Sequence, residues 1–453
     1  MKEFLKYHTF SVLLLVSIAA FYLSFGYQLE RIDFVKLITL YAALFLASFR
    51  FIQLEKGNYK LLAGAAIGFR LLFLLALPNL SQDFYRFIWD GRLLTEGINP
   101  FIELPAQIGS NILPDQTELL TGMGSLSAGN YSNYPPLNQF FFAVATFLSG
   151  KSILGALIIM RLFIIAADIG ILYFGRKLLS ALNLPEYRIF WFILNPFIII
   201  ELTGNLHFEG VMLFFLIWSL YLLQQKKWIW SAILLGLSIS VKLLPLLLLP
   251  LMLKFFRRKE SEDIPLLTGI NLKRLLSFYA ITLFTVTLTF LPFLSLEFLR
   301  NFSQSISLWF GKFEFNAGIF YVLRWIGFQL TGFNIIVYVG KLLPLVTLWI
   351  LIKLAVKQDY LNLRSFLTIS LFGISTYFFL STTVHPWYLA TPLLLSIFTP
   401  YRYIILWTLL VMLSYAAYNN PEFQENYWLL AVEYLSVFGF FGYELRKYKI
   451  ARV

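Results

Sequence analysis

The sequence holds 453 residues, of which 59% are hydrophobic, 19% aromatic and 13% charged, with a formal net charge of +12 and a mean hydropathy of +0.74. Soluble domains carry about 25% charged residues, so the composition excludes a water-soluble globular chain and specifies an integral membrane protein. The absence of cysteine excludes disulfides, thiolate catalysis and cysteine-based metal sites.

A helix needs about 20 apolar residues to cross a hydrocarbon core about 30 Å thick. Apolar runs near 9–26, 34–53, 61–79 and 152–175 are followed by runs near 188–203, 209–225, 228–241 and 243–256. Further runs fall near 273–293, 333–355, 364–381, 387–399, 402–418 and 428–445. Backbone groups in lipid must be satisfied internally, and no alternating pattern marks a barrel. The expected fold is therefore all-α: a polytopic transmembrane helical bundle of about 12 to 14 spans. The run at 9–26 is too long for a cleaved signal and is read as a retained span. The whole chain, 1–453, reads as a single membrane domain, with 80–150 as its first large extracytoplasmic loop.

Placing the N-terminus in the cytoplasm sends RFIQLEKGNYK, GRKLLSALNLPEYR, QQKK, KFFRRKESEDIPLLTGINLKR, KLAVKQDYLNLR, PYRY and the tail ELRKYKIARV inside, which collects most of the Lys and Arg there. Basic residues spread over short loops beside anionic lipid account for the net charge, with membrane lipids and not nucleic acid as partners. This parity holds if Tyr134 to Gly150 is a helix that dips in from the outer face.

The first outer loop opens with SQDFYRFIWDGRLLTEGINPF, Ser81 to Phe101. Phe84, Phe87, Ile88 and Leu94 fall at helical spacing, which predicts an amphipathic helix lying on the membrane with Tyr85 and Trp89 at headgroup level. A second short helix is expected through LPDQTELLTGMG. Asp83 stands where the third span gives way to this helix. It is read either as an N-cap, a place Ser81 would fill equally well, or as a carboxylate base whose partial desolvation raises its basicity. Asp90, Gly91 and Arg92 read as a helix C-cap with a local ion pair, and Arg86 and Arg92 as phosphate-binding or snorkelling cations.

Four more polar clusters reach the same outer face: YSNYPPLNQ, with Tyr134 and Gln139; GNLHFEG, with Asn205, His207 and Glu209; Lys242 in SVKLLPLLLLP; and His385 in TTVHPWYLATP. A lysine inside an apolar run costs about 2.5–3.5 kcal/mol if central, so Lys242 either snorkels or has an anion to hold. Asn205, His207 and Glu209 suit sugar or acceptor hydroxyls, or helix capping; no third ligand accompanies His207 and Glu209 for a metal. Arg161 and Asp168 are seven residues apart on one helix face, with Arg70 as a further partner, and read as structural. Leu308 to Gly318, in the other long outer loop, mixes aromatic and charged residues and suits an acceptor surface or an interfacial anchor.

The order SQDFYRFIWDGRLLTEGINPF, YPPLNQ, NPFIIIELTGNLHFEG, VKLLPLLLLP and VHPWYL resembles the GT-C glycosyltransferases, specifically the bacterial polyprenyl-phosphate-mannose-dependent mannosyltransferases, over residues 61–395. The resemblance implies a GT-C fold in a bacterial plasma membrane, with both termini cytoplasmic and the active site extracytoplasmic. It implies a polyprenyl-phosphate sugar as donor, a glycan or glycolipid as acceptor, inversion at the anomeric carbon, and no metal cofactor. Asp83 matches the family's general base, and Lys242 and His385 match the positions expected at the lipid phosphate. A lipid-linked glycan ligase or polymerase needs the same phosphate chemistry. A transporter or flippase calls for internal repeats, and none is visible.

Overall fold

The computed structural model describes residues 2–109, 112–256, 269–357, 362–420 and 422–450. Parts of three basic segments read as cytoplasmic, at 257–268, 358–361 and 451–453, lie outside the described residues. The chain begins with α1 (Lys2–Gln28), α2 (Phe34–Glu55) and α3 (Tyr59–Leu71). The segment read as the first outer loop folds as α4 (Asp83–Thr95), α5 (Gln116–Ala128) and α6 (Pro136–Ser149), and leads into α7 (Ile153–Ala181). Next come the short α8 (Phe190–Ile193) and α9 (Pro196–Ile198), the latter running into a π-helical turn at Ile199–Gly204. Then α10 (Glu209–Gln224) and α11 (Trp228–Val241) form an antiparallel pair, followed by 3-10 turns at Leu244–Leu248 and Pro250–Lys254.

The second half contains α12 (Leu272–Phe290), α13 (Leu296–Gly311), α14 (Ile319–Thr331), α15 (Ile336–Lys357) and α16 (Leu363–Leu380). It ends with a 3-10 turn at Pro386–Leu389, α17 (Ala390–Ser396), α18 (Tyr403–Leu410) running into a 3-10 stretch at Val411–Asn419, and α19 (Tyr427–Ile450). Among the described residues no strand forms; one isolated bridge joins Phe315 to Thr383.

Among the described residues seven helices are long and apolar enough to cross a membrane, or eight if the pair Glu186–Ile193 and Pro196–Gly204, bent by 50°, counts as one span. The other runs read as spans are helical but short: α3 has 13 residues and α17 has 7, while 209–224, 228–241, 244–253 and 403–419 form shorter apolar helices. Proline explains several of the interruptions, because Pro196, Pro245, Pro250 and Pro386 each withhold a backbone N–H and clash with the preceding turn. α6, with 14 residues, reaches about 21 Å at 1.5 Å per residue, short of a crossing.

Two expectations about the outer loops need correction. α4 does not lie on a lipid surface: Phe84, Phe87, Ile88, Trp89 and Leu93 are buried in protein, and so are Arg86, Asp90 and Arg92. The charges explain why. Arg86 Nε donates to Asp90 Oδ1 at 2.7 Å, and Asp90 Oδ2 accepts from Ser132 Oγ at 2.5 Å and Gln139 Nε2 at 2.9 Å, so the polar stripe of α4 faces α5 and α6. Asp90 and Arg92 are accordingly helix-interior residues and not a C-cap; the chain turns at Gly97, whose φ of 73° suits glycine. In the segment read as the other long outer loop, α13 and α14 occupy most of the chain.

Buried arginines meet the backbone where helices break. Arg70 Nε pairs with Asp168 Oδ2 at 2.6 Å, and its Nη1 donates to the carbonyls of Ala66 and Ile193, both at 2.8 Å. Arg161 donates to the carbonyls of Leu74, Thr203 and Gly204. Arg70 and Arg161 therefore satisfy carbonyls at the bend and at the end of the bent pair, a demand that membrane proteins must meet internally, and Asp168, read with Arg161 as structural, holds Arg70 in place.

Gly91 sets how closely α4 approaches α6, because a Cβ there would lie 2.5 Å from the Phe142 carbonyl oxygen. Gly91→Ala is expected to destabilise the protein by about 1–3 kcal/mol through overpacking. Thermal unfolding in detergent checks this, with Gly64→Ala, where a Cβ meets nothing within 4 Å, as the control. The charge-based parity is checked separately: a lone cysteine at exposed Ser125 should label with an impermeant thiol reagent from outside intact cells, and labelling only after lysis would reverse the orientation.

Candidate active site

Asp83 is the first residue of α4, and the capping position falls to Gln82, whose side chain makes no capping bond. Ser81 Oγ accepts the Asp83 backbone N–H at 3.2 Å. The Asp83 carboxylate is thus not used as an N-cap; it is half-buried, and the nearby Tyr134 hydroxyl acts to favour its charged form. Burial raises its pKa above the ordinary carboxylate value, against the opposing pull of the Lys242 charge, the Tyr134 hydroxyl and Arg31.

Lys242 caps the C-terminal end of α11 in an extended conformation, which turns its side chain out of the helix. Its Nζ lies 2.9 Å from Glu209 Oε1 and 5.5 Å from the centre of the Tyr134 ring. Glu209 opens α10 and Tyr134 precedes α6. Four separate elements therefore deliver Asp83, Tyr134, Glu209 and Lys242 to one place. The snorkelling alternative for Lys242 gives way to an ion pair with a carboxylate that is itself buried.

Beside this cluster, Trp387 stacks against both histidines, with ring centroids 3.8 Å from His207 and 4.5 Å from His385. Phe315 stacks on His385 at 5.2 Å, held there by backbone bonds from Phe315 N to the Thr382 carbonyl and from Val384 N to the Phe315 carbonyl. The stretch Leu308 to Gly318 thereby reaches the site through Phe315. Burial and the Lys242 charge pull the His385 pKa down to about 3, so the imidazole is neutral at physiological pH, not partly charged. His207 Nδ1 lies 2.8 Å from the Glu201 carbonyl oxygen, while its Nε2 has no partner among the described residues.

A cavity of about 410 Å³ opens from this cluster. Tyr134, Glu209, Lys242 and Tyr388 form its polar end, and Leu243, Leu247, Ile306, Leu348 and Phe378 are among its apolar walls. Such a cavity suits a molecule with one polar end and a long apolar remainder.

The remaining candidates stand apart. Asn205 bridges backbone, accepting from Leu80 N at 3.0 Å and donating to the Ile200 carbonyl. Arg86 and Gln139 belong to the Asp90 network, and Arg92 donates to the carbonyls of Pro114 and Lys151. Among the described residues no group of three His, Asp or Glu side chains is placed to hold a metal ion. Three residues at the site were not singled out from sequence: Glu201, whose Oε1 accepts the Tyr415 hydroxyl at 2.8 Å, Trp387 and Tyr388. Glu201 carried a readable signal, an acid inside the apolar run NPFIIIELTG.

This arrangement defines a polytopic helical membrane protein with a charged, carboxylate-bearing site at the head of an amphiphilic cavity. Residues 29–257 match the family model described as alpha-(1->6)-mannopyranosyltransferase, N-terminal domain, and the chain belongs to this family. It is 24% identical over 193 residues to alpha-(1->6)-mannopyranosyltransferase A of Mycobacterium tuberculosis, covering 42% of this chain and 36% of that protein. It is 26% identical over 153 residues to alpha-(1->6)-mannopyranosyltransferase B of Corynebacterium glutamicum, covering 33% and 24%. To the A protein of the same organism it is 21% identical over 206 residues, covering 43% and 40%. The chain thus matches less than half the length of each of these relatives.

The raised Asp83 pKa has a stability consequence of definite sign. A carboxyl whose folded pKa lies above its unfolded one costs stability when ionised, and the cost disappears as pH falls below the folded value. Asp83→Asn is therefore expected to melt higher than the wild type at pH 7, with the difference shrinking on acidification. A melting series in nanodiscs across pH measures it, and a lower melting point for the variant at pH 7 would contradict the assignment.

Proposed function

We propose that the protein is an inverting glycosyltransferase that moves a single mannosyl residue from a polyprenyl-phosphate donor to a glycan or glycolipid acceptor on the extracytoplasmic face of a bacterial plasma membrane. The observation that carries this reading is the cavity: its apolar length suits a polyprenyl chain, and its polar end presents Lys242 to the phosphate beside Asp83. The family and the relatives' names supply mannose and the alpha-(1->6) bond.

Asp83 accepts the proton of the acceptor hydroxyl as that oxygen attacks the anomeric carbon. The bond from that carbon to the phosphate oxygen breaks, and the lipid phosphate leaves with the electron pair. Lys242 meets the growing phosphate charge, and a neutral His385 offers an N–H to the same group. Tyr134 fixes the Asp83 carboxylate, whose raised pKa brings its basicity closer to the working pH. Inversion that yields an alpha bond requires a beta-linked donor. In this reading no metal takes part.

The test is transfer of labelled mannose from polyprenyl-phosphate mannose by the purified protein in nanodiscs, with and without a chelator. Asp83→Asn is expected to lose about 10²–10⁴-fold in turnover while still binding donor, the loss typical of removing a general base. Lys242→Ala is expected instead to weaken donor binding. Wild-type turnover in Asp83→Asn would remove it as the base, and loss of activity with chelator would bring in a metal.

A further inference from the structure

The mechanism places the donor on the Lys242 side of Asp83 and leaves a second feature unused. Arg31 lies in the turn between α1 and α2, with its guanidinium 4.1 Å from the centre of the Tyr418 ring. Its Nη1 donates to the Leu80 carbonyl at 3.3 Å, three residues before Asp83, and its charge acts on the Asp83 carboxylate. No ion pair holds Arg31 among the described residues.

Next to Arg31 and Tyr418 in the chain, Ile32, Asp33 and Asn419 line an open groove of about 630 Å³ that shares no lining residue with the donor cavity. Ile32, Phe34, Val35 and Leu40 give it apolar walls, and its polar groups are the Asp33 carboxylate, which makes no capping bond although it sits at the N-cap of α2, the Lys36 ammonium, the Thr39 hydroxyl and the Asn419 amide. Apolar walls edged by both charge signs, an amide and a hydroxyl suit a glycan chain, whose ring faces are apolar and whose edges carry hydroxyls, better than a lone anion.

Chemistry asks for such an opening. An inverting displacement needs the nucleophile to enter from the face of the sugar opposite the leaving phosphate, with the base on the entering side. We infer that the groove between the α1–α2 turn and Asn419 is the acceptor subsite, taking the glycan chain whose terminal hydroxyl is delivered to Asp83, and that Arg31 positions that terminal sugar. This inference rests on the mannosyl-transfer reading.

Two readouts keep the two apart. Direct binding of a short alkyl oligomannoside to the purified full chain in nanodiscs, without donor, is compared for wild type, Arg31→Gln and Thr39→Trp; the last fills the groove from an exposed position and leaves the core intact. Both variants are expected to weaken oligomannoside affinity tenfold or more, while affinity for polyprenyl-phosphate mannose stays within twofold. In transfer assays the same variants should raise the acceptor KM more than they lower kcat. Equal oligomannoside affinity in all three proteins overturns the subsite. Weakened oligomannoside binding in the variants, together with a wild type that consumes no donor, upholds the subsite and overturns the mannosyl-transfer reading instead.

Discussion

Backbone that leaves a helix inside a membrane protein has no water to satisfy it, so every break must be enclosed and bonded by protein. The site of this chain is assembled from such breaks. The bent pair ends at Gly204, α11 ends at Lys242 and α16 gives way to the turn holding His385, and each change of direction brings one functional side chain inward. Arg70 and Arg161 occupy carbonyls released at the bend and at the end of the bent pair, and Asn205 accepts the Leu80 N–H. Were those bonds missing, the unsatisfied groups would each cost free energy comparable to a lost hydrogen bond, and a straight helix would be the better structure there. The two buried arginines thus hold the bend that carries His207 inward, although neither lines the cavity.

Enclosure also controls the charges. Asp83 and Glu209 face Lys242, with Arg31 beyond, so two acids are set against two bases in surroundings that screen weakly. Burial alone would favour a protonated Asp83. The Lys242 charge limits that tendency, and the Tyr134 hydroxyl acts in the same direction. At His385 burial and the Lys242 cation act in the same direction, and the imidazole stays neutral.

What could be read from the sequence divides along one physical line. Long apolar runs became helices because spanning length and internal hydrogen bonding are local requirements, and the outer-end polar clusters were legible because a charge in an apolar run always needs a reason. Long-range partners were not legible. Tyr85 and Trp89 have the composition of an interfacial anchor, and only the Asp90 bonds to Ser132 and Gln139, more than 40 residues away, turn α4 into a core element. For the same reason Arg86 and Gln139 looked like ligands until their partners appeared. The helices at Leu296–Gly311 and Ile319–Thr331 escaped notice because their apolar residues are interleaved with polar ones and no run reaches spanning length.

The Lys242–Glu209 pair raises the question of how an anion binds at a cation already engaged. An ammonium carries three donors in a tetrahedral spread and can keep Glu209 on one while offering the others to a phosphate oxygen. A guanidinium in its place would present a planar fork that one carboxylate can occupy fully. Lysine therefore suits a site that must hold its resting partner and a transient ligand together. In the proposed reaction Glu209, with Oε2 unpartnered among the described residues, would retain an acceptor for a sugar hydroxyl as the ammonium shifts toward the phosphate. On that proposal attraction to Glu209 keeps Lys242 at the cavity between turnovers, and the same attraction opposes over-tight retention of the departing phosphate.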